Sequence, residues 1–333
     1  MMIDDRKQYR YPHAATLLSV AMMLLVFVAC SHKDRPSMRS MYYWSTTFNL
    51  SNEKKTFLNQ HHIQRLYIRY FDVVLDDNEQ PMPNATIQFK APIPQGMEVI
   101  PTVFIVNDCM RMEDKQLAQK ILKRILQMNA TNDISDVKEI QIDCDWTNTT
   151  RQHFFNFLKE LRQLAHSHHL RLSATIRLHQ LSQAPPPADR GILMLYNTGD
   201  FTKLDCQKPI LDMHDVAPYL PQLSRYDLPL STAYPIFGWR ILFREGQYVG
   251  IIHADDDLPI LPHDSIAVRQ PTLQDVTEGV RAIEEKRSEA NDEMILFDLT
   301  DKNIKRLKPI DYEKIFNRSH HFGMHPQSLS VRH

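Results

Sequence analysis

Apolar runs rich in β-branched and aromatic residues recur along the chain at 41–48, 65–74, 98–106, 139–145, 170–178, 191–197, 228–237 and 294–298. Between them the hydrophobic period lengthens to that of a helix. Over 113–128, Leu117, Ile121, Leu122, Ile125 and Leu126 fall on one stripe. Residues 151–166 repeat the pattern with Phe154, Phe155, Leu158, Leu161 and Leu164, and Thr149 and Thr150 stand where a cap belongs. A third helix is predicted over 273–287 from Val276, Val280 and Ile283. Alternation of this kind predicts parallel βα units, and eight of them predict a closed (β/α)8 barrel of the TIM type. A doubly wound open α/β sheet is the competing arrangement, because the spacers after the second and sixth strands carry only weaker helical patterns. The long spacer between strands seven and eight holds a β-hairpin insertion, 239–252, folded about the turn at 244–247. The triplet Asp255-Asp256-Asp257 after it reads as a solvated loop, since it lacks the alternate spacing and glycine of a calcium loop.

Composition narrows the class without naming a chemistry. Lys and Arg number 39 against 40 Asp and Glu, a net charge of −1, so no basic surface invites nucleic acid. With 43% hydrophobic residues and 4 cysteines the chain is an ordinary folded protein and not a disulfide scaffold. No Cys or His spacing points to a metal, and no motif points to a cofactor. The His61-His62, His168-His169 and His320-His321 pairs lie on polar stretches and read as solvated surface.

The beginning of the chain reads as an address. Arg6, Lys7 and Arg10 precede an apolar run at 14–29. As a helix this run is roughly 24 Å long, short of the ~30 Å hydrocarbon core, which fits a secretory signal. Phe27-Val28-Ala29-Cys30 resembles the bacterial lipobox, in which the cysteine is lipidated and becomes the new N-terminus. The expected organisation is therefore a signal peptide at 1–29, a lipidated Cys30 with a polar tether at 30–40, the barrel at 41–319 and a tail at 320–333. A plain export signal, or an anchor helix with an incidental cysteine, is the alternative. The lipobox implies export, with a lipid anchor on the bacterial envelope and the membrane as a partner. Export would leave Cys109, Cys144 and Cys206 able to form one bridge at most.

The fourth strand carries the sharpest signal. Read with a period of two, Gln141, Asp143 and Asp145 share one face, and Ile140, Ile142, Cys144 and Trp146 the other. In a barrel the polar face points inward, and the C-terminal end of a strand is where such folds hold their chemistry. The alternative is structural: the acids could pair with Arg69 on the second strand and Arg177 on the fifth.

At this strand Ile142-Asp143-Cys144-Asp145-Trp146 is similar to the D-G-x-D-x-D-x-E signature of glycoside hydrolase family 18, the chitinase and endo-N-acetylglucosaminidase family. The resemblance gives Asp143 the middle aspartate and Asp145 the last, which in the family orients the substrate acetamido group. Ile140 and Gln141 stand at the family's leading Asp and Gly, and Thr147 stands at the catalytic acid Glu. Met194-Leu195-Tyr196-Asn197 resembles the family's M-x-Y-D, whose Tyr assists the reacting acetamido, with Asn in place of Asp. The chain also resembles the glycosidase-like barrel lipoproteins common in gut Bacteroidetes. The resemblance implies a carbohydrate ligand or substrate, with Asp143, Asp145 and Tyr196 as catalytic candidates. Trp44, Arg69, Trp146, Arg177, Asn197 and Trp239 are the binding candidates, with Trp44, Tyr196 and Trp239 as stacking platforms.

Glycoside cleavage needs a proton donor, and a threonine hydroxyl is far too weak an acid. Either Asp143 and Asp145 form a different pair, or another strand end supplies the acid, with Asp72, Asp200 and Asp298 in reach. The other classes are a barrel that binds glycan without cleaving it, and a structural or interaction lipoprotein.

Overall fold

The computed structural model describes residues 38–317 apart from 113 and 254–257. The signal peptide, Cys30, residues 31–37, the Asp255–Asp257 triplet and the 320–333 tail therefore lie outside the described residues. Eight parallel strands form the ring: β1 Met38–Tyr43, β2 Arg65–Leu75, β3 Glu98–Ile105, β4 Glu139–Cys144, β5 Arg171–Ile176, β6 Arg190–Met194, β7 Leu230–Pro235 and β8 Glu293–Phe297. Each pairs with its successor, and β1 pairs with both β8 and β2, so the sheet closes. The (β/α)8 expectation holds, and an open sheet is excluded.

The strand period divides the core in two. Outward residues such as Leu66, Ile68, Ile140, Ile142, Leu172 and Ile176 pack beneath the helices. Inward residues Tyr42, Tyr67, Ile100, Ile192, Met194 and Ile295 form a second cluster inside the ring. Five helices of eight residues or more cover the outside among the described residues: α1 Asn52–Gln60, α2 Leu117–Thr131, α3 Arg151–Ser167, α4 Leu273–Arg287 and α5 Pro309–Phe316. Ser51 caps α1 by accepting from the Lys54 amide at 3.1 Å. Thr272 and Asp275 cap each other's amides at the start of α4. At α3 the expected side-chain cap is absent. Thr150 Oγ1 instead accepts from the Thr147 amide at 3.0 Å and donates to Asn107 at 2.7 Å.

Three expectations are corrected. The barrel begins at Met38, inside the stretch read as tether, and Arg39 and Ser40 are buried. Their polarity hides a strand because each polar group is met: Arg39 by Glu313 and the His61 carbonyl, Ser40 by Glu293. The spacer after β2 holds no helix; Pro81–Asn84 folds back antiparallel onto the end of β2. The spacer after β6 holds only single turns between Met213 and Leu223. The insertion contains the expected hairpin, Trp239–Arg244 with Gln247–Ile251, turned at Glu245 and Gly246, both with positive φ. A third strand, Ser265–Arg269, pairs with its first arm.

The N-terminal end of the barrel is closed by a buried ionic network. Glu293 accepts from Ser40 at 2.6 Å, Arg65 at 2.7 Å, Tyr67 at 3.0 Å and Ser231 at 2.9 Å, and is paired with Arg190. Arg190 also pairs with Glu139, and Arg65 with Glu98. Burial alone would raise the Glu293 pKa, but Arg190 and Arg65 outweigh it and hold the group at about 2, below its ordinary 4.5.

Glu293→Gln leaves two buried guanidinium groups short of a counter-charge and should cost about 3–5 kcal/mol of unfolding free energy. Because the folded pKa is depressed, the stabilisation is fully present above pH 4.5 and is lost as pH falls towards 2. Urea unfolding followed through that window should show wild type losing stability faster than Glu293→Gln. Parallel losses would mean the carboxylate does not hold the floor.

Candidate functional site

The C-terminal ends of the strands open on a cleft of about 530 Å³. Trp44, Tyr196, Phe237, Trp239 and Phe297 form its aromatic wall, and Arg69, Asp143, Arg177, Asn197, Asp298 and Asn303 bring polar groups to it. The same alternation that builds the interior delivers them. On β4, Glu139 and Gln141 lead to Asp143. On β8, Glu293 and Ile295 lead to Phe297, beyond which Asp298 follows a cis peptide bond. Trp239 and residues 251–253 reach the cleft from the insertion.

Asp143 lies where expected. Its Oδ1 accepts from Thr175 at 2.7 Å and from Arg177 at 3.1 Å. Burial opposes the charge on Arg177, but Asp143, with smaller contributions from Tyr196 and Asp145, raises its pKa above the ordinary arginine value. The structural pairing expected for Arg177 is thus present at the mouth of the site. Arg69 pairs instead with Asp72 and lies 5.4 Å over the Trp44 ring.

Asp145 does not join Asp143 in the cleft. Strand β4 ends at Cys144, so the two-residue period stops before Asp145. Its side chain is 60% exposed and its Oδ1 lies 3.7 Å from Arg177 Nε. Thr147 is exposed as well, and its hydroxyl contacts Thr149 at the turn before α3. Trp146 is fully buried outside the ring and is not a binding residue: it stacks on Phe154 and meets Phe155 edge-on at 5.2 Å. It lies beyond the end of β4, held in the core by these rings and by its carbonyl, which accepts from Gln180 Nε2 at 3.0 Å.

Tyr196 is wedged between Phe237 and Phe297, with its hydroxyl 3.2 Å from Met194 Sδ. Burial raises its pKa well above 10; Arg177 lowers it, while Asp143 and Asp298 raise it further. Asn197 sits at φ +56°, a left-handed conformation that Asn tolerates better than most residues, and borders the cleft from the surface.

Of the three alternative acids, Asp72 is tied to Arg69, and Asp200 is exposed and accepts from Thr202. Asp298 borders the cleft and is buried, and its Oδ1 accepts from Asn303 Nδ2. Burial pushes its pKa up to about 6, against a lowering from Asn303. Phe297 could have been found by extending the β8 period from Ile295. Thr300, Lys302 and Asn303 lie on the turn beyond β8, where no period marks them.

No protein-family model and no curated protein matches the chain. Solved structures do. The spore cortex-lytic enzyme SleL of Bacillus cereus superposes with a TM-score of 0.55 at 14% identity, covering 86% of this chain and 75% of its own. A chitinase from Chromobacterium violaceum gives 0.53 at 11% identity, covering 84% and 98%. The second catalytic domain of the Group II chitinase from Ostrinia furnacalis gives 0.51 at 12% identity, covering 84% and 95%. The chain shares its fold with these chitinase-like barrels.

The two tryptophans should separate on truncation. Trp146→Ala empties a closed core site and should cost about 3–5 kcal/mol in chemical unfolding. Trp239→Ala, at the half-buried rim, should cost clearly less. Equal losses would mean that Trp239 belongs to the core rather than to the cleft wall.

Proposed function

We propose that the chain is an exported, lipid-anchored envelope protein whose barrel binds carbohydrate in the cleft at the C-terminal ends of its strands. The observation that carries this reading is the aromatic wall of Trp44, Tyr196, Phe237, Trp239 and Phe297 facing charged and amide groups across one cavity. A sugar ring has apolar C–H faces and a rim of hydroxyls. Such a ligand needs flat aromatic surface and a few fixed polar partners together. Arg177, Asp143 and Asn303 are fixed by hydrogen bonds within the protein, which lowers the entropy lost on binding. The shared fold with proteins named as chitinases and a spore cortex-lytic enzyme adds support.

The standard family 18 mechanism is not part of this reading. It needs an acid where Thr147 stands, and both Thr147 and Asp145 are exposed at the turn before α3. The anchor rests on the sequence Phe27-Val28-Ala29-Cys30 alone.

Calorimetry of the detergent-solubilised full chain against N-acetylglucosamine, glucan and mannan oligomers tests the ligand. One class should bind, and Trp44→Ala and Trp239→Ala should each weaken it about threefold to tenfold, the worth of one aromatic contact. Binding of none of the three classes would remove the carbohydrate reading. For the anchor, cells fed an alkyne fatty acid should label the wild-type chain. Cys30→Ala should carry no label and leave the membrane fraction; a labelled Cys30→Ala chain would place the lipid elsewhere.

A further inference from the structure

The cleft holds two buried carboxyl groups that reach it from opposite sides. Strands β4 and β8 lie four positions apart in either direction around an eight-membered ring, and Asp143 on β4 and Asp298 just past β8 both line the cavity. Each carboxyl takes its side-chain hydrogen bonds through Oδ1. Asp143 Oδ1 takes both Thr175 and Arg177, and its Oδ2 takes no hydrogen bond among the described residues. Asp298 Oδ1 takes Asn303, and its Oδ2 takes none from another side chain among those residues.

Their surroundings differ in the sense that acid/base work requires. Asp143 is ion-paired with Arg177 and accepts from the Thr175 hydroxyl. Asp298 makes no ion pair among the described residues, lies against Phe297 and Tyr196, and is anchored by a neutral amide. Two carboxyl groups in contrasting environments, on opposite sides of a glycan-sized cleft, are what an inverting glycosidase uses.

We propose that Asp298 and Asp143 act as the acid and base of an inverting hydrolysis of a glycosidic bond, an inference that rests on the glycan-binding reading. Asp298 gives its proton to the glycosidic oxygen as the anomeric C–O bond breaks. A water held by Asp143 Oδ2 attacks the anomeric carbon from the other face and passes its proton to that oxygen. One water is consumed, a hydroxyl appears on each product, and the two carboxyls reset by exchanging a proton with solvent. The step requires neither Thr147 nor Asp145.

The full chain in detergent is assayed on the oligomers used for binding, with products followed by proton NMR and affinity by calorimetry. A bound oligomer should be cleaved, and the first anomer formed should be inverted relative to the bond broken. Asp298→Asn and Asp143→Asn should each lower kcat by about 10²- to 10⁴-fold, and Asp298→Asn should keep Kd within threefold of wild type. The wild-type rate should fall above about pH 6, as the acid loses its proton. The charged and titratable groups facing Asp298 are Lys54 from α1, Tyr196 from the segment after β6 and Lys302 from its own turn. Arg69, Asp143, Arg177 and His253 line the same cleft. The basic limb should therefore vanish in Asp298→Asn and survive in Lys302→Ala.

Retention at the anomeric carbon, an undiminished rate in Asp298→Asn, or a glycan bound without cleavage would each overturn the pair. If Asp298→Asn does not fold, the anomer and pH profile of the wild type decide. A chain that binds no glycan overturns the binding reading too, so the two failures are distinguishable.

Discussion

A carboxylate inside a barrel is tolerable only where its charge is met, and Glu293 meets that condition with donors from β1, β2, β6 and β7. The closure of the ring depends on this one group. It sits on the last strand, where β8 must find β1, and its acceptor bonds reach across that seam and beyond it. Arg190 bridges it to Glu139 on β4, so the network spans the ring. A purely apolar floor could be as stable, but apolar contacts are non-directional. The network fixes the height of each strand, because a one-residue slip would move Arg65 or Arg190 out of the interior.

That register passes upward into the site. Above the ionic floor lies the aromatic and aliphatic layer of Tyr42, Tyr67, Ile192, Met194 and Ile295, and above it the cleft. Each cleft residue from a strand stands a fixed even number of positions from a floor residue. Asp143 is four beyond Glu139, Arg69 four beyond Arg65, Tyr196 six beyond Arg190 and Phe297 four beyond Glu293. The chemistry at the mouth is thus aligned by the electrostatics at the base.

This coupling explains what was legible in the sequence. The eight strands, the major helices and the inward position of Asp143 follow from periods of two and 3.6, which a single chain displays. Met38–Ser40 was hidden, because a buried polar strand looks like a tether until its partners Glu313, His61 and Glu293 are placed beside it. Trp146 and Asp145 failed in opposite ways. Both lie past the end of β4 at Cys144, where Phe154 and Phe155 hold Trp146 in the core and Asp145 is released to solvent. Asp298 was one acid among three, and its place in the cleft with the Asn303 bond sets it apart from Asp72, which is paired with Arg69, and from the exposed Asp200.

Thr147 and Asp143 stand in different relations to the barrel. Thr147 lies outside the ring in the turn before α3, where it serves the helix start through Thr149 and Thr150. Neither the floor, the register nor the aromatic wall draws on that turn. Asp143, by contrast, is bonded into β5 through Thr175 and linked through Arg177 to its end, so its loss would be felt by the scaffold as well as by a ligand. The shaped, charged cleft therefore rests on residues of the scaffold and not on the turn that holds Thr147. Any acid/base chemistry in the cleft must come from carboxyls that the scaffold itself holds in place, Asp143 and Asp298.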